Sequence, residues 1–159
     1  MAKLNKFSKA KDKHDFKDPD RVTGANLGPR FIVALTLMLA GIAWMAYYYI
    51  GVRPADFTAD AGKPAFMADL ADWNYLIGFG VLFVGMIVAA HPSTPLGRGR
   101  GVTVGMMGCF LLGLAWICTF YIFVQDLSVI PVFNDLGQKN LFVGIGLMGV
   151  GFVYATRWE

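Results

Sequence analysis

Twenty consecutive residues, 31–50 (FIVALTLMLAGIAWMAYYYI), carry no charged side chain, and they constrain the rest of the chain more than any other stretch. A helix of that length, at about 1.5 Å per residue, spans the roughly 30 Å hydrocarbon core of a bilayer. A buried helix of a soluble protein usually keeps a polar stripe, whereas here only Thr36 interrupts the apolar surface before Tyr47, Tyr48 and Tyr49. Those three rings close the run where an apolar ring with a polar tip suits the headgroup region. The stretch therefore reads as a membrane span.

Three further apolar runs follow, residues 73–90, 102–124 and 140–155, none containing Asp, Glu, Lys, Arg or His. The last is the shortest and holds Gly144, Gly146, Gly149 and Gly151, a density that weakens helices in water but is common in membranes. The expected fold is an all-α integral membrane protein, with four transmembrane helices arranged as two similar hairpins. Residues 1–30 form a basic disordered arm, 31–90 the first hairpin, 91–101 a connecting turn and 102–159 the second hairpin. With 56% hydrophobic and 16% charged residues in 159, no separate soluble domain fits.

Eleven of the fourteen Lys and Arg residues lie in the arm, the 91–101 turn and the C-terminal tail; only Arg53, Lys63 and Lys139 lie in the two other loops. The positive-inside rule then puts both termini in the cytoplasm and the acidic loops outside. The arm holds too few apolar residues to bury a core, and its apolar neighbour begins too late for a signal peptide. Its lysines, with Lys9, Lys11 and Lys13 at the centre, and the turn residues Arg98 and Arg100 are expected to contact anionic lipid or an acidic cytoplasmic partner.

The two halves resemble each other. Leu39, Gly41, Ala43, Trp44, Tyr49 and Ile50 recur as Leu111, Gly113, Ala115, Trp116, Tyr121 and Ile122, and Asp69, Leu70, Asn74, Gly78, Gly80, Gly85 and Ala89 recur as Asp135, Leu136, Asn140, Gly144, Gly146, Gly151 and Ala155. The offset changes from 72 to 66, so the second outer loop is six residues shorter. A tandem duplication of a helical hairpin, giving a parallel repeat, accounts for this pattern.

The charge-free runs exclude most membrane chemistry, since proton relays and ion pathways need intramembrane ionisable groups. His91 has no second histidine near it, and His14 stands alone among lysines, so no metal or haem site is expected. Residues 144–149 match GxGxxG but lack the strand and acidic residue of a dinucleotide site. Cys109 and Cys118, nine positions apart, fall on opposite faces of one helix, which excludes a disulfide between them. No catalytic residue, cofactor, metal or nucleic-acid partner is expected. The glycines, including Gly101 with Gly105 and the seven-residue pairs Gly78 with Gly85 and Gly144 with Gly151, are expected to serve close packing among the four helices or to leave one such face open for a partner helix.

Gly28-Pro29 before a span with GIAW (41–44), a proline-containing loop and DWNYLIGFGVLFVGM (72–86) together resemble the CrgA septation-inhibitor family of actinobacterial cell-division proteins. GLAW (113–116) and the ending Arg157-Trp158 repeat the resemblance in the second half. Family members are typically one hairpin; here the Trp73-Asn74-Tyr75 motif stands only in the first copy, and the second has Lys139-Asn140-Leu141. The resemblance implies a non-enzymatic adaptor regulating septum formation at the division site of the plasma membrane. Its partners would be the tubulin-like ring protein and septal peptidoglycan synthesis proteins. Gly41, Trp44, Trp73, Asn74, Tyr75, Gly113 and Trp116 are the candidate partner contacts. An accessory subunit of a respiratory or other large membrane complex is the second reading, because it too needs only small charge-free spans.

Overall fold

The computed structural model describes residues 28–54, 62–126 and 130–157. Among them the chain is entirely helical: α1 (Pro29–Tyr47) runs on into a π-helical turn (Tyr48–Val52), followed by α2 (Ala65–Leu70), α3 (Trp73–Ala89), α4 (Arg100–Phe123), α5 (Pro131–Leu136) and α6 (Asn140–Ala155). Helix α1 packs along α3 and α4 along α6, giving two hairpins, and these meet chiefly through α3 and α6. Three segments, Pro29–Val52, Arg100–Phe123 and Pro131–Ala155, are long and apolar enough to cross a bilayer, and Trp73–Ala89 is a shorter apolar helix. The fourth run is longer than its apolar sequence suggests, because α5 and a 3₁₀ turn (Gly137–Lys139) extend it.

Local signals set the ends. Gly28 is extended and Pro29 takes the first helical position, so α1 opens two residues before the charge-free run, with the Phe31 and Ile32 amides donating to Gly28 O at 2.9 and 3.2 Å. At its other end the Arg53 amide donates to Tyr48 O at 2.8 Å, closing the wide π turn that carries Tyr48 and Val52 inward. In the turn between hairpins, Thr94 is fully buried. Its hydroxyl donates to the carbonyls of Ala89 and His91 and accepts from the Gly97 amide.

Inside each hairpin the backbones approach closely at glycine. A methyl on Gly41 would lie 2.5 Å from Gly78 O, and one on Gly113 would lie 2.8 Å from Gly144 O. Gly85 faces Ala34 and Met38, Gly151 faces Cys109 and Phe110, and Gly105 faces the Tyr154 ring. Most of the glycines are thus consumed by packing within the chain, as expected where lipid offers no hydrophobic drive. Gly80, Gly108 and Gly149 instead face open space. Cys109 is buried, Cys118 exposed, and both are free.

The outer surface is apolar, with Ile32, Leu39, Leu111, Leu112, Ile122 and Phe142 all more than half exposed. Thr36 and Thr119 return their hydroxyls to Ile32 O and Ala115 O one turn back, at 2.9 and 2.8 Å, so neither presents an unpaired donor to lipid. Apolar side chains in such density on the outside belong against hydrocarbon, and the architecture is that of a multi-pass membrane protein.

Candidate partner-binding site

Some of the sequence candidates meet where a short helix joins the head of a long one, and the two halves build this corner alike. Asn74 is fully buried; its amide donates to Met67 O and Ala71 O, both at 2.7 Å. Asn140, also fully buried, donates to Phe133 O at 2.9 Å and Gly137 O at 2.8 Å, the same pair of positions in the repeat. Each asparagine thus ties a short helix (α2 or α5) to the long one behind it. The hinge residue takes a left-handed φ in both halves, 44° at Ala71 and 50° at Gly137. Glycine adopts that conformation freely and alanine does not.

Successive helical residues point about 100° apart, which divides the Trp73-Asn74-Tyr75 motif three ways. Trp73 faces outward, 60% exposed, with Lys139 Nζ 5.1 Å from its ring centre. Asn74 turns inward to its corner. Tyr75 is buried and reaches across to the second hairpin, donating its hydroxyl to Asp135 Oδ2 at 2.8 Å. The other oxygen of Asp135 accepts from Arg53 Nη2, also at 2.8 Å. One carboxylate from α5 is therefore held by two residues of the first hairpin. Arg53 itself lies over the Tyr49 ring, 5.3 Å from its centre.

Lys139 and Asp72 form a second, looser pair across the junction at 3.8 Å. Both side chains are substantially exposed, so this pair contributes little beyond orientation. The junction is electrically balanced: Arg53 and Lys139 against Asp72 and Asp135.

Below this clasp the contact is apolar. Trp116 stacks on Phe133 at 4.5 Å and meets Phe79 of the first hairpin edge-on at 5.4 Å. The Phe83 ring fills the space a side chain on Gly146 would need. Trp44, in the matching position of the first half, has Phe66 as its ring neighbour, at 6.2 Å and tilted, and packs against the buried cluster that includes Tyr48, Val52 and Met67. The indole nitrogens of Trp44 and Trp116 and the side-chain oxygens of Asn74 and Asn140 are buried and unpaired.

The structure thus brings Trp73, Asn74, Tyr75 and Trp116 to one end of the hairpin junction. Gly41 and Gly113 lie inside their own hairpins. Arg98 and Arg100 are exposed at the opposite end, near the 3₁₀ turn Pro95–Gly97, and Lys9, Lys11 and Lys13 fall outside the described residues. From sequence, Arg53 reads as a loop charge, Asp135 as the repeat partner of Asp69, and Asp72 and Lys139 as neighbours of the motif asparagines; no pairing among the four was expected. The signal that separates them is their place in the repeat: Asp69 and Asp135 correspond, but Arg53 corresponds to Gln125 and Tyr75 to Leu141.

The family model described as cell division protein CrgA matches residues 1–91 and 96–159. The chain belongs to the CrgA family. A cell division protein CrgA of Streptomyces avermitilis is 36% identical over 64 residues, 40% of this chain and 71% of the relative. That of Corynebacterium glutamicum is 35% identical over 57 residues, 36% of this chain and 53% of the relative. No solved structure matches significantly. Membership of CrgA links the chain to cell division and to a family named for that process, not for a catalysed reaction. Within the family's frame, this chain carries two clasped hairpins.

Proposed function

We propose that this chain is a non-enzymatic membrane adaptor that regulates septum formation by binding division-site proteins. The observation that carries the reading is the family match in both halves, on a scaffold whose apolar runs contain no Asp, Glu, Lys, Arg or His. A compact apolar body with charged groups only at its two ends is suited to holding neighbours, because transport and most membrane catalysis require charge at membrane depth. The two separate matches also support descent by tandem duplication of one hairpin.

In this reading the termini and the Arg98 to Arg100 turn face the cytoplasm. The basic arm, with Lys9, Lys11 and Lys13, meets the tubulin-like ring protein, while the spans meet septal peptidoglycan synthesis proteins. Trp73, exposed, and Trp44, partly buried, are the aromatic contacts offered to such partners; Gly41, Asn74, Tyr75 and Gly113 act by shaping the surface that presents them.

The test is recovery of a tagged copy from native membranes in mild detergent, followed by mass spectrometry. Enrichment of the ring protein and septal synthesis enzymes is expected. Stoichiometric subunits of a respiratory complex in their place would replace this reading with that of an accessory subunit.

A further inference from the structure

The contact between the two hairpins is not symmetric. On α3 the face that meets the second hairpin is Tyr75, Phe79 and Phe83; on α6 the face that meets the first is Val143, Gly146 and Val150. In the repeat, those α6 positions correspond to Ile77, Gly80 and Val84, which lie on a different side of the helix from Tyr75, Phe79 and Phe83. One face of the hairpin unit is thus seated on the other face of its neighbour, a heterologous contact. Burial records it: Val143 and Val150 are 1% and 3% exposed, and their counterparts Ile77 and Val84 are 38% and 51% exposed.

A heterologous contact leaves one face unused at each end, and repetition would extend it into a ring or an open array. The two free faces of this chain differ in chemistry. The second hairpin has Gln125, Leu141 and Gly149 where the first has Arg53, Tyr75 and Phe83, so the groups that grip a carboxylate and fill a glycine notch are gone. The first hairpin keeps the receiving set intact. Asp69 stands where Asp135 stands, exposed and with no partner among the described residues, and Gly80 stands where Gly146 receives Phe83, with nothing within 4 Å of its missing side chain. One end of the array is blunted and the other is open.

We propose that the outward face of the first hairpin, marked by Asp69, Ile77, Gly80 and Val84, is a docking surface for a separate single-hairpin protein of the same family. The incoming hairpin presents an Arg, a Tyr and a Phe in the places of Arg53, Tyr75 and Phe83. Charge favours it, since Asp69 lacks the cation and hydroxyl that its counterpart holds. Size favours it too. The 64 matched residues make up 71% of the Streptomyces relative, and the 57 matched residues 53% of the corynebacterial one, which puts those chains near 90 and 108 residues, room for one such hairpin rather than two. A second copy of the present chain is a poor occupant. Its own Arg53, Tyr75 and Phe83 are already engaged, and its free face lacks them.

The receiving face can be tested in the full chain by restoring the lost groups on the second hairpin. Gln125 is exposed, Leu141 partly so, and a Cβ on Gly149 would meet open space, so Gln125→Arg, Leu141→Tyr and Gly149→Phe are made on the outer side of the second hairpin. In mild detergent, light scattering should show that the triple variant forms dimers and longer species, while the parent chain stays one size. Adding Asp69→Asn should lower the association constant by about tenfold. Should Gly149→Phe prevent folding, as judged by circular dichroism, the Gln125→Arg, Leu141→Tyr pair gives the same comparison. The occupant is tested by co-expressing the unmodified full chain with the Streptomyces avermitilis relative. Co-purification is expected, falling about tenfold with Asp69→Asn. A restored variant that keeps the parent's size, a relative that is not retained, or recovery indifferent to Asp69 would each overturn the proposal. None of these readouts depends on septation, so they stand or fall apart from the adaptor function.

Discussion

Asp69 and Asp135 are the same residue at the same point of the repeat, yet only one is in use. Asp135 accepts from Arg53 and Tyr75 at 2.8 Å each, and removing it leaves two donors at the junction without their acceptor. Asp135→Ala should therefore cost about 1–3 kcal/mol. Asp69→Ala, on an exposed side chain, should stay within about 0.5 kcal/mol. Thermal or denaturant unfolding in detergent separates the two, and equal effects would remove the clasp from this account. A second contrast concerns the hinge. Ala71 adopts the left-handed φ that its counterpart Gly137 adopts without strain, and such strain costs on the order of 1–3 kcal/mol. Ala71→Gly should raise the melting temperature, and a fall would show that the corner tolerates Ala71 without strain. That Asn74 would be spent on Met67 O and Ala71 O rather than on a partner was not legible in the motif: a lone asparagine at the head of an apolar helix is as well suited to recognition as to closing a turn.

At the scale of elements, glycine does two different things in one sequence pattern. Gly41 and Gly113 let α1 approach α3 and α4 approach α6, whereas Gly149 and Gly108 face outward. Gly41→Ala and Gly113→Ala should each destabilise by about 1–3 kcal/mol because the opposing atoms are backbone carbonyls that cannot move aside. Gly149→Ala and Gly108→Ala should be near neutral, or slightly favourable through helix propensity. Similar losses at all four positions, measured by unfolding in detergent, would contradict this division. Glycine spacing predicted close packing, and the GxxxG at Gly101 and Gly105 does pack, against Pro95, Leu96 and Tyr154. Which glycines face in was decided by the rotation of each helix about its axis. Uniformly apolar helices carry no polar stripe to announce that rotation.

For the whole molecule, the hairpin junction sets a direction. The clasp of Arg53, Tyr75 and Asp135 sits at one end and the Arg98 to Arg100 turn at the other, so orientation in the bilayer decides which chemistry each compartment meets. The excess of Lys and Arg on the side of the termini predicts that this end is cytoplasmic. With Cys118 replaced by serine, cysteines at Ala65 and at Ser93, both exposed, should differ in intact cells: Ala65→Cys is labelled by an impermeant maleimide and Ser93→Cys only after lysis. The reverse pattern would invert the molecule and with it the assignment of the basic arm.

Four apolar runs, their order, their pairing as hairpins and the family were all written in the linear sequence. Each rests on properties that survive without contacts: run length against bilayer thickness, absence of charge, and a repeat visible as matched residues. The heterologous seating of one hairpin on the next, and the unlike fates of Asp69 and Asp135, came only with tertiary structure. Two copies of nearly the same hairpin can meet through several faces. The choice among them is made by a handful of side chains far apart in sequence, Arg53 and Tyr75 against Asp135 and Phe83 against Gly146, whose energies exist only once the helices are side by side.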